Sequence, residues 1–289
     1  MNISLFLHKI QTALQKRSNV NNNRKSYAAW LSKGYINKPL ISFIIQSHNK
    51  CAEVKHIVSK LRAIQNSEII VIDDGSAINH LTAISDFMQK ANEFVIRAND
   101  LYENVMYDKA IRFSNGRFIA LLQDDDDFTD LSWIDKATGY FSKYPKLAIL
   151  GGYEGFNFDI IGTDEAHDMP YKEQLNKDFS FVHIVNRAPM WLNRELFDEK
   201  LKHIDFDFAP FQYDDCELCL RAWINGLQVG WYNAGFKSLS SGGMRIWNTS
   251  FTQEQCIRNQ KTLYQLYHDK KHIIDEKVYN AVRTLDEKK

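Results

Sequence analysis

Four consecutive aspartates, Asp124 to Asp127, follow a short apolar run in the stretch ALLQDDDDFTD. Adjacent like charges do nothing for folding by themselves. Crowded carboxylates do suit hard divalent cations such as Mg²⁺ and Mn²⁺, which prefer oxygen ligands. Mg²⁺ takes only one or two protein carboxylates and completes its shell with water and substrate phosphates. One to three aspartates of this run therefore suit a metal–diphosphate site. The alternative is a solvated acidic turn that caps the helix from 130. Two further polar clusters, SHN (47–49) and DDGS (73–76), also have side chains that could bind a ligand, and a second acidic pair, Asp214-Asp215, opens a later helix.

The surrounding pattern says where these clusters sit. LISFIIQ (40–46), EIIVID (68–73), EFVIRA (93–98), RFIALLQ (117–123) and LAILGG (147–152) read as buried strands. Helical patterns fill 51–65, 78–91, 103–114 and 130–143 between them. Apolar strands alternating with helices imply a mostly parallel sheet covered on both faces. In such sheets ligands bind beyond the carboxyl ends of the strands. SHN follows the first strand, DDGS the second and QDDDD the fourth, so all three loops should line one edge. Beyond 152 a Gly-rich, aromatic, acidic loop is expected to run to about 178. A strand at 179–186, a short helix at 193–201, and a helix ending near Gly226 followed by a strand come next. Two helices are expected within 251–285. At the other end, Ile3, Phe6, Leu7, Ile10 and Leu14 are read as one helical face over 3–17, with Lys9, Lys16 and Arg17 on the other. The stretch SNVNNNRKS after it reads as a linker.

The bulk composition narrows the class. The chain has 289 residues, 44% hydrophobic and 25% charged, ordinary values for a globular protein with a sizeable core. Lys plus Arg and Asp plus Glu are both 36, so charge gives no reason to expect a nucleic-acid partner. No apolar run reaches the ~18 residues of a membrane span. Met1 to Ile10 is too short and too broken by polar residues to read as a signal peptide. Four cysteines make no disulfide scaffold, which favours a cytoplasmic setting. Cys216-x-x-Cys219 has no second pair and lies within a helix, so it reads as core.

ISFIIQSHNK (41–50), EIIVIDDGS (68–76), NGRFIALLQDDDDF (115–128) and YDDCELCLRAWINGLQVGW (213–231), in this order, resemble a family 2 glycosyltransferase. The resemblance covers about residues 40 to 235. It implies the GT-A fold, a Rossmann-like α/β arrangement with a mixed, mostly parallel sheet flanked by helices. The organisation would be a helical extension at 1–38, the GT-A domain at 39–245 and a second helical extension at 246–289. It implies a hexosyltransferase-type enzyme that moves a sugar from a nucleotide-sugar, usually a UDP-sugar, with inversion at the anomeric carbon. A divalent metal, Mn²⁺ or Mg²⁺, would assist. The acceptor would be a glycan or a lipid-linked sugar, as in polysaccharide biosynthesis.

Carried over by position, the resemblance places Ser47, His48 and Asn49 at the nucleoside, with His48 in the aromatic position that stacks on the base. Asp74 would meet the uracil. The family's Asp-X-Asp motif falls on Gln123, Asp124 and Asp125, so its first aspartate is a glutamine here. Asp125 would then hold the metal and Asp124 approach the donor ribose or sugar. A register slide of one would make Asp124 and Asp126 the pair. Asp215 would be the catalytic base, with Asp214 beside it able to raise its pKa. For these two the plain alternative is helix N-terminal charge, favourable to the macrodipole. Asp214 and Trp191 would lie on the acceptor side. The stretch SLSSGGMR (238–245) stands where some members carry a diphosphate-contacting histidine, and Arg245 could serve there instead.

Three rival readings fit less well. A haloacid-dehalogenase-like phosphotransferase would carry its aspartates on the first strand. A sugar nucleotidyltransferase would have a Gly-rich first loop, and QSHNK has no glycine. A degenerate sugar-nucleotide-binding or scaffold module stays open because of Gln123. The basic N-terminal helix is expected to pack on its own domain or on a partner, with peripheral contact to an anionic membrane as the alternative, and self-association of the chain stays open.

Overall fold

The structure is a computed structural model that describes residues 3–171, 177–187, 189–238 and 248–286. Strand β1 (Ile41–Ser47) has almost no polar alternation, and it takes the centre of the sheet, where both faces are covered. β2 (Ser67–Asp74) and β4 (Phe118–Gln123) pair with it in parallel, one on each side. Their register puts Ser47 beside Asp73 and Gln46 beside Gln123, so the three strands end level. β3 (Glu93–Ala98) extends the sheet in parallel beyond β2. On the other side come β11 (Met190–Asn193), β6 (Leu147–Gly151), β12 (Gln228–Tyr232) and β9 (Phe179–Phe181), giving the order β3-β2-β1-β4-β11-β6-β12-β9. β11 and β9 run antiparallel to their neighbours, so the sheet is mixed as expected.

The helices lie where periodicity places them. α2 (Cys51–Leu61) buries Val54, Ile57, Val58 and Leu61, one stripe of a helix. Each such side chain contributes about 1.5–3 kcal/mol on full burial. α3 (Ile78–Phe87), α4 (Tyr102–Phe113) and α5 (Ser132–Lys143) complete the repeating pattern. Phe43 of β1 meets Trp133 of α5 and Trp191 of β11 edge-on, with centroids 6.1 and 6.2 Å apart. The Trp191 indole N–H donates to the Tyr232 hydroxyl (3.1 Å), and that hydroxyl donates to the Trp133 carbonyl (3.1 Å).

Several expectations need correction. The stretch SNVNNNRKS is not a linker, because one helix, α1 (Ile3–Leu31), runs through it. The loop expected at 152–178 contains a hairpin, β7 (Gly155–Ile161) and β8 (Glu165–Pro170). The single strand expected at 179–186 is two strands in different sheets: β9, and β10 (Ile184–Val185), which pairs with β7. The short helix expected at 193–201 is present, as α6 (Arg194–Leu196) continued by a wider π turn (Phe197–Leu201). β5 (Asp126–Asp127) pairs with β13 (Lys237–Ser238) beside the main sheet.

α7 (Asp214–Ile224) precedes β12. The two C-terminal helices are α8 (Thr249–Tyr267) and α9 (Lys271–Asp286). They bury Leu263, Tyr267, Ile274 and Val278 in the main core. Buried Asn259 of α8 places its amide nitrogen 2.8–3.1 Å from the carbonyls of Phe208, Phe211 and Gln212, which fixes the segment leading into α7.

Candidate active site

The loops after β1, β2 and β4 are tied to one another by hydrogen bonds. The His48 amide donates to Asp124 Oδ2 (2.9 Å), and Lys50 Nζ lies 3.1 Å from Asp124 Oδ1. His48 Nδ1 lies 2.6 Å from the Asp74 carbonyl oxygen. A carbonyl only accepts, so Nδ1 carries the proton and Nε2 is left to accept from Asn49 Nδ2 (2.9 Å). The Asn49 amide donates to Ser76 Oγ and its side-chain oxygen accepts from the Ala77 amide, both at 2.8 Å. Gly75 makes the turn at φ +78°, where a Cβ would stand 2.9 Å from Asp100 Oδ1. Left-handed backbone gathers at this edge, at Asn49, Asp100 and Tyr102. Such conformations cost free energy and collect at functional sites.

The four aspartates divide their work. Asp124 holds the loop after β1. Burial raises its carboxyl above the usual range, while the His48 amide and Lys50 oppose that rise. Asp126 turns inward, with one oxygen accepting from the Gln123 amide (2.9 Å), and burial pushes its pKa far up. This argues against the alternative pairing of Asp124 with Asp126. Asp127 anchors α2 through Lys60 (2.8 Å), whose hydrogen bond holds its pKa below the usual value. Asp125 is half-buried and accepts from the Ser238 hydroxyl (2.7 Å).

No group of three or more His, Cys, Asp or Glu side chains gathers as a metal cluster among the described residues. A cation bridged by a diphosphate needs only one or two carboxylates. Asp125 fits that need: it is an oxygen donor at the strand end that accepts, among the described residues, from a neutral hydroxyl. Asp124 is already matched by Lys50.

Asp74 is buried, and its two oxygens accept from the Leu101 and Tyr102 amides, both at 2.9 Å. It therefore shapes the start of α4, and a carboxylate keeps further lone pairs for a second donor. Beside it, Arg97, Ala98, Asn99 and Leu101 line an open cleft of about 590 Å³. His48 and Asn49 are exposed at the same edge.

α7 brings the second acidic pair to this edge. The Tyr102 ring packs on Phe211 with centroids 5.7 Å apart, and the Asn104 amide donates to the Pro210 carbonyl (3.1 Å). The chain then passes through Gln212 (φ 74°) and Tyr213 (φ 64°), two successive left-handed residues, into Asp214. Asp215 is half-buried, with Oδ1 accepting from the Cys216 amide (2.9 Å). Asp214 is buried, and both its oxygens meet Arg187, at 2.9 and 2.5 Å. Arg187 stacks 5.0 Å from the Tyr107 ring centroid, and the Tyr107 hydroxyl donates to the Leu122 carbonyl (2.7 Å). Leu122, Tyr107, Arg187 and Asp214 thus form a ladder from the strand that carries the aspartates to the helix that carries Asp215. Burial works against the charge of Arg187, but Asp214, Asp215 and Glu103 outweigh it and push its pKa up.

Burial corrects two sequence assignments, Trp191 and Asp214, and places a third residue, Ser47, in the interior. Trp191 is fully buried, because β11 lies between β4 and β6, and so it does not face an acceptor. Asp214 is spent on Arg187 and positions α7 instead of binding acceptor. Ser47 is fully buried, and its hydroxyl has no hydrogen-bond partner among the described residues. Cys216 and Cys219 are free, buried core residues. Arg245 and positions 239–244 of the expected diphosphate stretch lie outside the described residues.

Arg187 and Asp168 join the site without a local signal in the sequence. Asp168, on β8, is half-buried, and burial followed by the nearby charge of Asp215 pushes its pKa up to about 6. Gln260 of α8 holds this side of the site through Tyr213 Oη (2.6 Å) and His167 Nδ1 (3.1 Å). The folded-state pKa of Asp168 lies above the unfolded one. Its ionisation therefore destabilises the native state as pH rises from about 4 through about 6. Asp168→Asn should stabilise the protein by about 2–3 kcal/mol at pH 7.5 and by only about 1 kcal/mol at pH 4.5. Urea unfolding at the two values checks this, and an equal effect at both would contradict it.

The model of the family described as "Glycosyl transferase family 2" matches residues 42–201. An uncharacterized glycosyltransferase of Methanocaldococcus jannaschii is 24% identical over 192 residues, 61% of this chain and 65% of that protein. The crystal structure of GalNAc-T7 with UDP, GalNAc and Mn²⁺ superposes with TM-score 0.55 at 14% identity, over 68% of this chain and 43% of that one. Residues 1–349 of Staphylococcus aureus TarS in complex with UDP superpose with TM-score 0.50 at 14% identity, over 67% and 57%. The chain thus spans less than two thirds of the length of each of these relatives, and its likeness to the two crystal structures is one of fold. The chain belongs to glycosyl transferase family 2, and its fold is GT-A.

Proposed function

We propose that this protein is an inverting glycosyltransferase that moves a sugar from a nucleotide-sugar, a UDP-sugar in the first instance, to a hydroxyl of a glycan or lipid-linked acceptor. The observation that carries this reading is the joining of two acidic groups, Asp124-Asp125 at the end of β4 and Asp215 at the start of α7, through the Tyr107–Arg187–Asp214 ladder. In this reading His48, Asn49 and Asp74 receive the nucleoside beside the cleft at the end of β3. Asp124 keeps the loop after β1 in place under the donor. Asp215 takes the proton from the acceptor hydroxyl as its oxygen attacks the anomeric carbon. The bond from that carbon to the diphosphate oxygen breaks on the opposite face. Asp125 would hold a divalent cation, Mn²⁺ or Mg²⁺, which supplies charge neutralisation for the leaving diphosphate. The complex of GalNAc-T7 with UDP and Mn²⁺, on the same fold, supports this choice.

Incubation with a panel of UDP- and GDP-sugars and Mn²⁺ tests the reading. Release of nucleoside diphosphate, accelerated by acceptor, is expected for at least one UDP-sugar. Binding of UDP without release from any donor would favour a binding module instead. Asp125→Ala should weaken UDP binding by about 10- to 100-fold in Mn²⁺ and hardly at all in EDTA, consistent with the loss of a metal ligand. Calorimetry under both conditions measures it, and unchanged affinity in Mn²⁺ would remove Asp125 from the metal site.

A further inference from the structure

α1 stands apart from the rest of the molecule. Its described side chains from residue 4 to 29 are exposed on every side, Thr12 being half-exposed. The described side chains between 4 and 29 therefore do not pack on the rest of the domain. Phe6, Leu7, Ile10 and Leu14 share one face and are 49, 58, 42 and 62% exposed. Over its 29 residues the helix carries Lys9, Lys16, Arg17, Arg24 and Lys25 and no acidic residue. The segregation extends further: residues 1–52 hold eight Lys or Arg and no Asp or Glu, in a chain of net charge zero. The middle of the helix, with four asparagines between 19 and 23, has poor intrinsic helix propensity. Most helical stability in proteins comes from packing an amphipathic face. This helix therefore needs a surface to lie on.

We infer that α1 lies on an anionic lipid surface, with Phe6, Leu7, Ile10 and Leu14 entering the interface and the basic side chains meeting the headgroups. The first half of the helix has an apolar stripe with Lys9 and Lys16 opposite it, the second half is basic, and the overall hydrophobicity is low, features that suit an interfacial helix. Charge favours lipid over a second copy of the helix, since five like charges on each strand of a pair would repel. No helix among the described residues is long and apolar enough to cross a membrane, so the contact is peripheral. The attachment leaves the candidate site open. The segment after α1 is pinned by Ile36 and Gly34 to Asn92 and by Leu40 to Asn66, just before β3 and β2 begin. That is the sheet edge opposite the aspartates.

The test is co-sedimentation of the full chain with vesicles of phosphatidylcholine alone or with 30% phosphatidylglycerol (roughly physiological surface charge). Binding is expected only to the anionic vesicles and should fall at least tenfold in 0.5 M NaCl. Replacing Lys9, Lys16 and Arg17 by Gln, or Phe6 and Ile10 by Ser, should each lower binding at least tenfold. These side chains lie outside the core, so the urea midpoint and any nucleotide-sugar turnover without vesicles should not change. Equal binding to neutral and anionic vesicles, or no binding to either, would overturn the inference. So would a stable dimer in light scattering that the same variants abolish, since a second copy would then be the cover. The outcome is independent of the donor chemistry proposed above.

Discussion

Replacing Asp215 by asparagine is expected to lower transfer by about 10²- to 10⁴-fold, the usual contribution of a positioned general base. That corresponds to roughly 3–5.5 kcal/mol of barrier. Asparagine keeps the size of the side chain, and its oxygen still accepts the Cys216 amide hydrogen that now reaches Asp215 Oδ1. The start of α7 should therefore survive. What is lost is a site able to take the acceptor's proton. UDP affinity should stay within about twofold, because a base acts in the transition state and not on the donor's ground state. The split between turnover and donor binding is what identifies a base. A variant that keeps near-normal turnover, or one that loses UDP binding as well, would show that Asp215 does something else.

The second large effect concerns the buried Arg187. Arg187→Met should destabilise the protein by about 3–5 kcal/mol at pH 8, because it leaves the buried Asp214 carboxylate without its partner. The double variant Arg187→Met with Asp214→Leu should recover most of that loss, since replacing both members removes the stranded charge. The penalty of the single variant should shrink at pH 5. Burial raises the Asp214 carboxyl, and losing the opposing pull of Arg187 raises it further, so a lower pH neutralises the stranded group. Urea denaturation of the three proteins at both pH values closes the cycle. A cost under 1 kcal/mol for the single variant would mean that the ladder does not hold α7. The Arg187→Met variant should also turn over more slowly, because α7 carries Asp215.

The centre of the sheet was legible because β1, β2 and β4 are apolar runs, and such runs occur where helices cover both faces. The convergence of their loops followed from parallel order alone. The reach of α1 was not legible: SNVNNNRKS has neither apolar period nor helix propensity, and no core contact in the chain rewards it. The β7–β8 hairpin did leave a signal. Phe156, Phe158 and Ile160 alternate, and Gly162 takes the turn at φ +67°, but the composition of the stretch read as a loop. At the site, the position of an aspartate after a strand was readable, whereas its state was not. Asp124, Asp126 and Asp127 look alike in sequence, and only tertiary partners assign one to a loop, one to the interior and one to Lys60. Arg187 stands 27 residues before Asp214, and nothing local links them. Trp191 misled because an aromatic residue near an expected acceptor pocket and one in a central strand have the same spelling.

The central claim is that a cation and a nucleoside diphosphate share the edge formed by β1, β2 and β4. Crystals soaked with UDP and Mn²⁺ locate the metal directly by anomalous scattering. A Mn²⁺ peak in coordination distance of the Asp125 carboxylate, with UDP beside Asp74 and His48, is the result this account predicts. UDP bound at that edge with no Mn²⁺ at Asp125, or Mn²⁺ and UDP bound elsewhere on the molecule, would contradict it.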